Sequence, residues 1–214
     1  RQGEIVKVSG PLVIARNVTV ARMYDVVRVS KERLIGEIIG LKGDEASIQV
    51  YEDTSGIGPG DPVFLTEQPL FVELGPGLIE NIYDGIQRPL NLIKEKAGAN
   101  ITRGIEVPAL DRDILWEFEP LVKPGIKVFP GDIIGQIRES VLLIHKIMIP
   151  PGVSGVLKDI KGGKFKVTDV VYVIETEDGI KELNLIQRWP VRVPRTYEKR
   201  LAPTTILSTG QRVI

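Results

Sequence analysis

Cysteine is absent from the 214-residue chain, which rules out disulfides, thiolate metal sites and thiol nucleophiles. Histidine occurs once, at His145, so no two-histidine metal site or second imidazole base can be built. Net charge is missing too, with 28 Lys and Arg against 28 Asp and Glu. A balanced surface exerts no long-range pull on nucleic acid or an anionic membrane, and neither is expected as a partner. Long apolar runs are lacking. The longest, Val141 to Pro151, is interrupted by His145 and Lys146 and is far too short to span a bilayer. The opening residues RQGEIVKVSG contain no apolar targeting core. There is no initiator Met, from which a removed true start is expected. A soluble intracellular protein is the reading.

What the chain does have is punctuation: 22 Gly and 15 Pro. Ser9-Gly10-Pro11, Lys42-Gly43-Asp44 and Gly58-Pro59-Gly60-Asp61 separate candidate strands at Glu4–Val8, Leu12–Ala15, Asp25–Val29, Leu34–Ile39, Ala46–Tyr51 and Val63–Leu65. Gly supplies positive φ and Pro presets a turn dihedral, so each cluster reverses the chain. Ala46, Ile48 and Val50 alternate with polar neighbours, the period of a strand buried on one face. Six short strands at this spacing predict a small closed barrel, since closure removes unpaired edges.

Between Gly75 and Gly98 the period changes. Leu78, Ile79, Ile82, Ile86, Leu90 and Ile93 recur at three- and four-residue steps, which predicts one helical face. Pro89 is expected to divide it into two short helices, and Gly98 to cap its C-terminus. Residues 100–113 read as a connection. Strands return from Leu115 to Val193, with turns at Pro124-Gly125, Pro130-Gly131-Asp132 and Pro150-Pro151-Gly152. Tight hairpins are predicted at Lys161-Gly162-Gly163-Lys164 and Glu177-Asp178-Gly179. The repeated Pro-Gly-Asp at Pro59 and Pro130 reads as turn chemistry used twice rather than duplication. The fold class is mainly β: an N-terminal six-stranded barrel plus a second β-rich insertion, joined by a short helical segment.

The chemistry-bearing residues read mostly as structure. A phosphate loop needs G-x-x-x-x-G-K-[ST], yet the only Gly-Lys, Gly163-Lys164, is followed by Phe165 and has Lys158 where the first Gly belongs. Gly56-Ile57-Gly58-Pro59-Gly60-Asp61 mimics a dinucleotide fingerprint, but Pro59, Pro62 and a strand follow it, so it reads as a turn. Leu74-Gly75-Pro76-Gly77 precedes the predicted helix and could attract an anion there, although Pro76 removes one amide. His145 in an apolar strand reads as a packed or interface histidine. Asp111 and Asp113, and Glu175, Glu177 and Asp178, read as loop charges or ordinary ion pairs. Trp116 and Trp189 read as packing residues. No catalytic, cofactor-binding or metal-binding residue is assigned.

Several strings now stand together and in order: VSGPLV (Val8–Val13), ARMYDVVRV (Ala21–Val29), QVYEDTSGIGPGDPV (Gln49–Val63), VELGPGLIENIYDGIQRPL (Val72–Leu90), RGIEVPALDR (Arg103–Arg112), WPVRVPR (Trp189–Arg195) and TGQRV (Thr209–Val213). They closely resemble the catalytic A subunit, or alpha chain, of archaeal A-type and vacuolar V-type rotary ATP synthases and ATPases. The resemblance covers essentially the whole chain. Residues 115–188 fall where that subunit carries its characteristic insertion, whose turns and hairpins are similar to a barrel-sandwich domain. Lys158 and Lys161 lack the setting of a carrier lysine.

The resemblance implies four parts: a barrel at 1–70, a helical entry to a nucleotide-binding domain at 71–114, the bulge insertion at 115–188, and an extended tail at 189–214. It implies that the phosphate loop lies beyond Val213, so that this chain alone is inactive and holds no cofactor, while the full-length parent uses Mg-ATP or ADP. It implies B subunits in an alternating A/B hexamer as partners. The peripheral stalk would be met through the insertion and the central stalk through the part beyond this chain. The expected place is the cytoplasmic face of the cell membrane, in a complex coupling ATP synthesis or hydrolysis to proton or sodium transport. The alternative is a stand-alone nucleotide-binding or small-molecule enzyme domain.

Overall fold

The computed structural model describes residues 1–79, 81–98, 102–195, 197, 199–208 and 210. Six strands open the chain: β1 (Gln2–Ser9), β2 (Leu12–Arg16), β3 (Asp25–Val29), β4 (Leu34–Lys42), β5 (Glu45–Val50) and β6 (Pro62–Pro69). All pair antiparallel and close in the order β1-β2-β5-β4-β3-β6. The expected barrel is present, and its strands extend beyond their predicted ends at β4 and β6. Inward residues alternate as the pleat requires: Val27 and Val29 on β3, Ala46, Ile48 and Val50 on β5, all buried in one cluster with Ile5, Val13 and Ile38. On β4 the alternation fails in an informative way. Leu34, Gly36 and Ile38 face inward, yet Ile35 and Glu37 between them are also buried. Something outside the barrel covers them.

That covering begins with β7 (Phe71–Leu74), which pairs not with the barrel but with a strand more than a hundred residues later, β16 (Gln187–Pro190). Between them stand a helix, α1 (Leu90–Ala97), and the insertion. The helical stretch predicted from Gly75 is corrected here: among its described residues, only the last turns are helix. Asp84 accepts hydrogen bonds from the amides of Ile86 and Arg88 at 3.1 and 2.8 Å. This local turn competes with a helix. Gln87 sits at φ 62°, and Tyr83 forms a bridge with Pro89. Pro89 therefore opens α1 rather than dividing it, its φ of −66° already suited to a helix start. Gly98 closes α1 at φ 79°, donating to Lys94 O at 2.8 Å. Ile79 and Ile82, expected on a buried face, are 60% and 72% exposed.

The insertion is two four-stranded sheets. Its strands are β8 (Trp116–Pro120), β9 (Lys127–Val128), β10 (Ile133–Arg138), β11 (Ile144–Met148), β12 (Gly155–Ile160), β13 (Gly163–Phe165), β14 (Tyr172–Thr176) and β15 (Gly179–Leu183). The sheet orders are β11-β10-β8-β13 and β15-β14-β12-β9. Phe118, Ile134, Ile137, Leu157, Tyr172 and Ile174 form a second buried cluster. Glu177-Asp178 is the expected hairpin, closing β14 on β15 with Thr176 opposite Gly179. The predicted hairpin at residues 161–164 is corrected. β12 pairs with β14 and β9, whereas β13 pairs with β8, so this corner carries the chain from one sheet to the other. The two Pro-Gly-Asp turns close alike: Asp61 accepts from Gly58 N at 3.0 Å and Asp132 from Phe129 N at 2.8 Å.

Candidate functional site at the barrel seam

Where later elements lean on the barrel, three carboxylates meet arginines from outside it. Glu37 on β4 has no exposed side-chain surface. Arg192, just after β16, donates to both its oxygens, Nε to Oε1 at 2.7 Å and Nη2 to Oε2 at 2.5 Å. Tyr51 donates its hydroxyl to the same carboxylate at 2.8 Å. A carboxylate taken out of water needs such partners. Arg192 holds the Glu37 carboxyl below its ordinary value, with burial opposing and Tyr51 adding. Burial, then Glu37 itself, pushes the Tyr51 phenol up.

The second carboxylate, Glu52, is nearly buried. It receives Arg88 Nη1 at 3.1 Å and the amide of Gly104 at 2.5 Å. Arg88 also spans to Asp84 Oδ2 at 2.7 Å. Burial works to raise the Asp84 carboxyl, but hydrogen bonds from Arg88 and Ile86 hold it below its usual range. Gly104 must be glycine: φ is 67°, and a Cβ there would lie 1.9 Å from Glu32 O. Arg103 beside it donates to Ser55 O and pairs with Glu32 at 3.0 Å.

Glu73 on β7 is the third, gripped by Arg112 and by Arg188 of β16, the latter at 3.2 Å. Arg188 also lies 4.8 Å from the Phe71 ring centroid. The Gln87 side chain pairs with the Glu73 backbone in both directions at 2.7 Å, as a neighbouring strand would. Arg28 of β3 reaches Glu106 at 3.0 Å. Between these contacts lies a cleft of about 520 Å³, walled by Val26, Ile35, Phe71, Ile86 and Val107 among others. Carboxylate answers guanidinium throughout this seam. Its chemistry is fastening, and among the described residues no nucleophile with an adjacent base lines it.

The residues weighed in the sequence lie elsewhere. Gly163-Lys164 is part of β13, and residues 56–61 form a turn entering β6. Residues 74–77 lead into turns rather than a helix, and the Gly77 amide is already bound to Glu139 at 3.0 Å. That corrects the helix-start anion reading. His145 on β11 has its Nδ1 2.9 Å from Glu139 Oε1, close but not aligned as a hydrogen bond. Asp111 accepts from the amides of Asp113 and Ile114, Asp113 pairs with Lys166 at 2.9 Å, and Glu175 pairs with Lys158 at 2.6 Å. Glu177 and Asp178 occupy the β14–β15 loop. Trp116 packs against the insertion's core, and Trp189 carries Arg195 at 4.4 Å from its ring centroid. The string at residues 209–213 lies largely outside the described residues. Among the described residues no three His, Asp or Glu side chains gather to hold a metal ion, and no helix is long and apolar enough to cross a membrane.

A closed barrel followed by a two-sheet insertion matches two family models. One is the ATP synthase alpha/beta family beta-barrel domain over residues 5–67; the other is the ATP synthase alpha/beta subunit barrel-sandwich domain over residues 107–192. The chain belongs to the ATP synthase alpha/beta family. Within it, the whole chain is similar to V-type ATP synthase alpha chains: 57% identical over 214 residues to that of Acetivibrio thermocellus, and 54% to those of a Thermoanaerobacter species and Clostridium perfringens. All of this chain is covered in each case, but only 36% of each relative.

Proposed function

We propose that the chain is the assembly portion of a V-type ATP synthase alpha chain, the catalytic A subunit, whose parent couples ATP synthesis or hydrolysis to proton or sodium transport. One observation carries this: 57% identity to such an alpha chain along all 214 residues. In this reading residues 1–70 join the barrels of neighbouring B subunits in an alternating hexamer. A closed barrel has no free edge to pair, so such contacts must be made by outward side chains. Ile39 and Leu41 on β4, 41% and 40% exposed, are apolar enough to serve. Residues 115–188 meet the peripheral stalk, and Phe129 and Ile180, 51% and 71% exposed, offer contact surface there. The central stalk and Mg-ATP belong to the parent's other parts. The complex then sits on the cytoplasmic face of the membrane, with this portion peripheral to it.

Two measurements test the reading. Calorimetry of the 214-residue chain with Mg-ATP should show no saturable binding below about millimolar, because the sequence contains no phosphate loop. Tight stoichiometric binding would instead favour a self-contained nucleotide-binding domain. Deleting residues 115–188 from the full-length parent should abolish stalk attachment and coupling while leaving ATP hydrolysis; a deletion that keeps attachment would end the tether role.

A further inference from the structure

Beyond β16 the described residues are irregular, and across residues 193–208 they are exposed. Among the described residues of this strap, Arg192 reaches a buried partner, Glu37. The strap is anchored beside it by Val191 N donating to Leu70 O at 2.8 Å, where β6 passes into β7. A second observation points to the same place. Tyr24 holds φ 70°, a conformation that costs a bulky residue energy and persists only where the surroundings demand it. In that conformation its ring lies 4.6 Å from the Arg192 guanidinium. The turn is held by Tyr24 N on Ile38 O at 2.9 Å and by Arg22 N on Asp25 Oδ2 at 2.9 Å. Glu37 and Tyr51 thus form the floor of a receptacle, and Tyr24 forms its wall.

We propose that Glu37, Tyr51 and Tyr24 form a receptacle on the barrel for Arg192, making a releasable latch that fixes where the chain leaves the barrel. The geometry favours release over unfolding. Arg192 is about half exposed while Glu37 is fully buried, so the arginine can withdraw into water without disturbing the core. The barrel's own hydrogen bonds do not pass through the strap. A withdrawn arginine leaves the Glu37 carboxylate with the Tyr51 hydroxyl but no guanidinium, and the lost charge-assisted bonds draw the latch shut again.

Amide hydrogen exchange on the 214-residue chain tests it. In Arg192→Gln, exchange at Val191, whose amide is held by Leu70 O, should rise at least about tenfold, with Ile48 and Val50 in β5 changed less than about twofold. Arg192→Lys, which cannot make the bidentate contact, should fall between wild type and Arg192→Gln. If the orphaned carboxylate of Arg192→Gln unfolds the barrel, the double variant Glu37→Gln/Arg192→Gln removes that charge. It should show a protected barrel with a free strap. Unchanged strap exchange in Arg192→Gln would overturn the proposal. So would a double variant whose strap and barrel lose protection together.

Discussion

Glu37 is the residue whose environment makes the most specific demand. Its carboxyl is held below the ordinary value of 4.5, first by the hydrogen bonds from Arg192. The unfolded chain, titrating normally, therefore binds a proton at higher pH than the folded chain does. The stability this group contributes is thus complete above about pH 4.5 and is lost as pH falls through the folded value. Asp84, held low by Arg88, acts in the same direction. Denaturant midpoints measured from about pH 6 down to about pH 3 should fall for the wild type, and fall less steeply for Glu37→Gln. An equal slope in the two proteins would remove Glu37 from the account.

At the scale of elements, the β12–β14 pairing leaves no room for a side chain at Gly155. A Cβ at Gly155 would lie 2.0 Å from Glu175 O and 3.0 Å from the Ile174 side chain. The obstacle is backbone, which cannot rotate aside, so Gly155→Ala should cost about 1–3 kcal/mol. A urea titration followed by tryptophan fluorescence reads it, and a change under about 0.5 kcal/mol would mean that the strands slide apart freely. Turn chemistry is most legible at this scale. Pro-Gly-Asp at Pro59 and Pro130 predicts a reversal before a strand, and the Asp side chain completes each one. Residues 161–164 show the limit. Two adjacent glycines announce a corner, but whether the next strand pairs with the last one or crosses to another sheet depends on partners far away in sequence.

At the scale of the whole molecule, two buried clusters share no residue, one in the barrel and one in the insertion. Cores without common side chains need not unfold together. Calorimetry should show two steps, with a measured enthalpy larger than the van't Hoff value. Ile48→Ala, which empties a fully buried site in the barrel, should lower one step at a cost of about 2–5 kcal/mol. Gly155→Ala should lower the other. A single cooperative transition moved equally by both would mean that the seam carries far more coupling than its polar contacts imply.

The amino-acid sequence by itself determined the barrel. Alternating Ala46, Ile48 and Val50, with glycine and proline between short strands, specify local period and local reversal, and both are short-range properties. It also determined the family, through strings such as QVYEDTSGIGPGDPV that need no folding to be read. The seam was decided only by tertiary structure. Glu37 and Arg192 are 155 residues apart, and nothing in their spacing announces a pair. A visible hint was a single charge inside the apolar run LIGEII, which a half-buried strand tolerates without explanation. Residues 81–89 failed as a helix for the same reason in reverse: their apolar period was helical, but the Asp84 side chain and Gln87's pairing with Glu73 drew the backbone into turns. Short-range rules choose strands and turns, whereas burial of a charge is settled by whatever the rest of the chain brings to cover it.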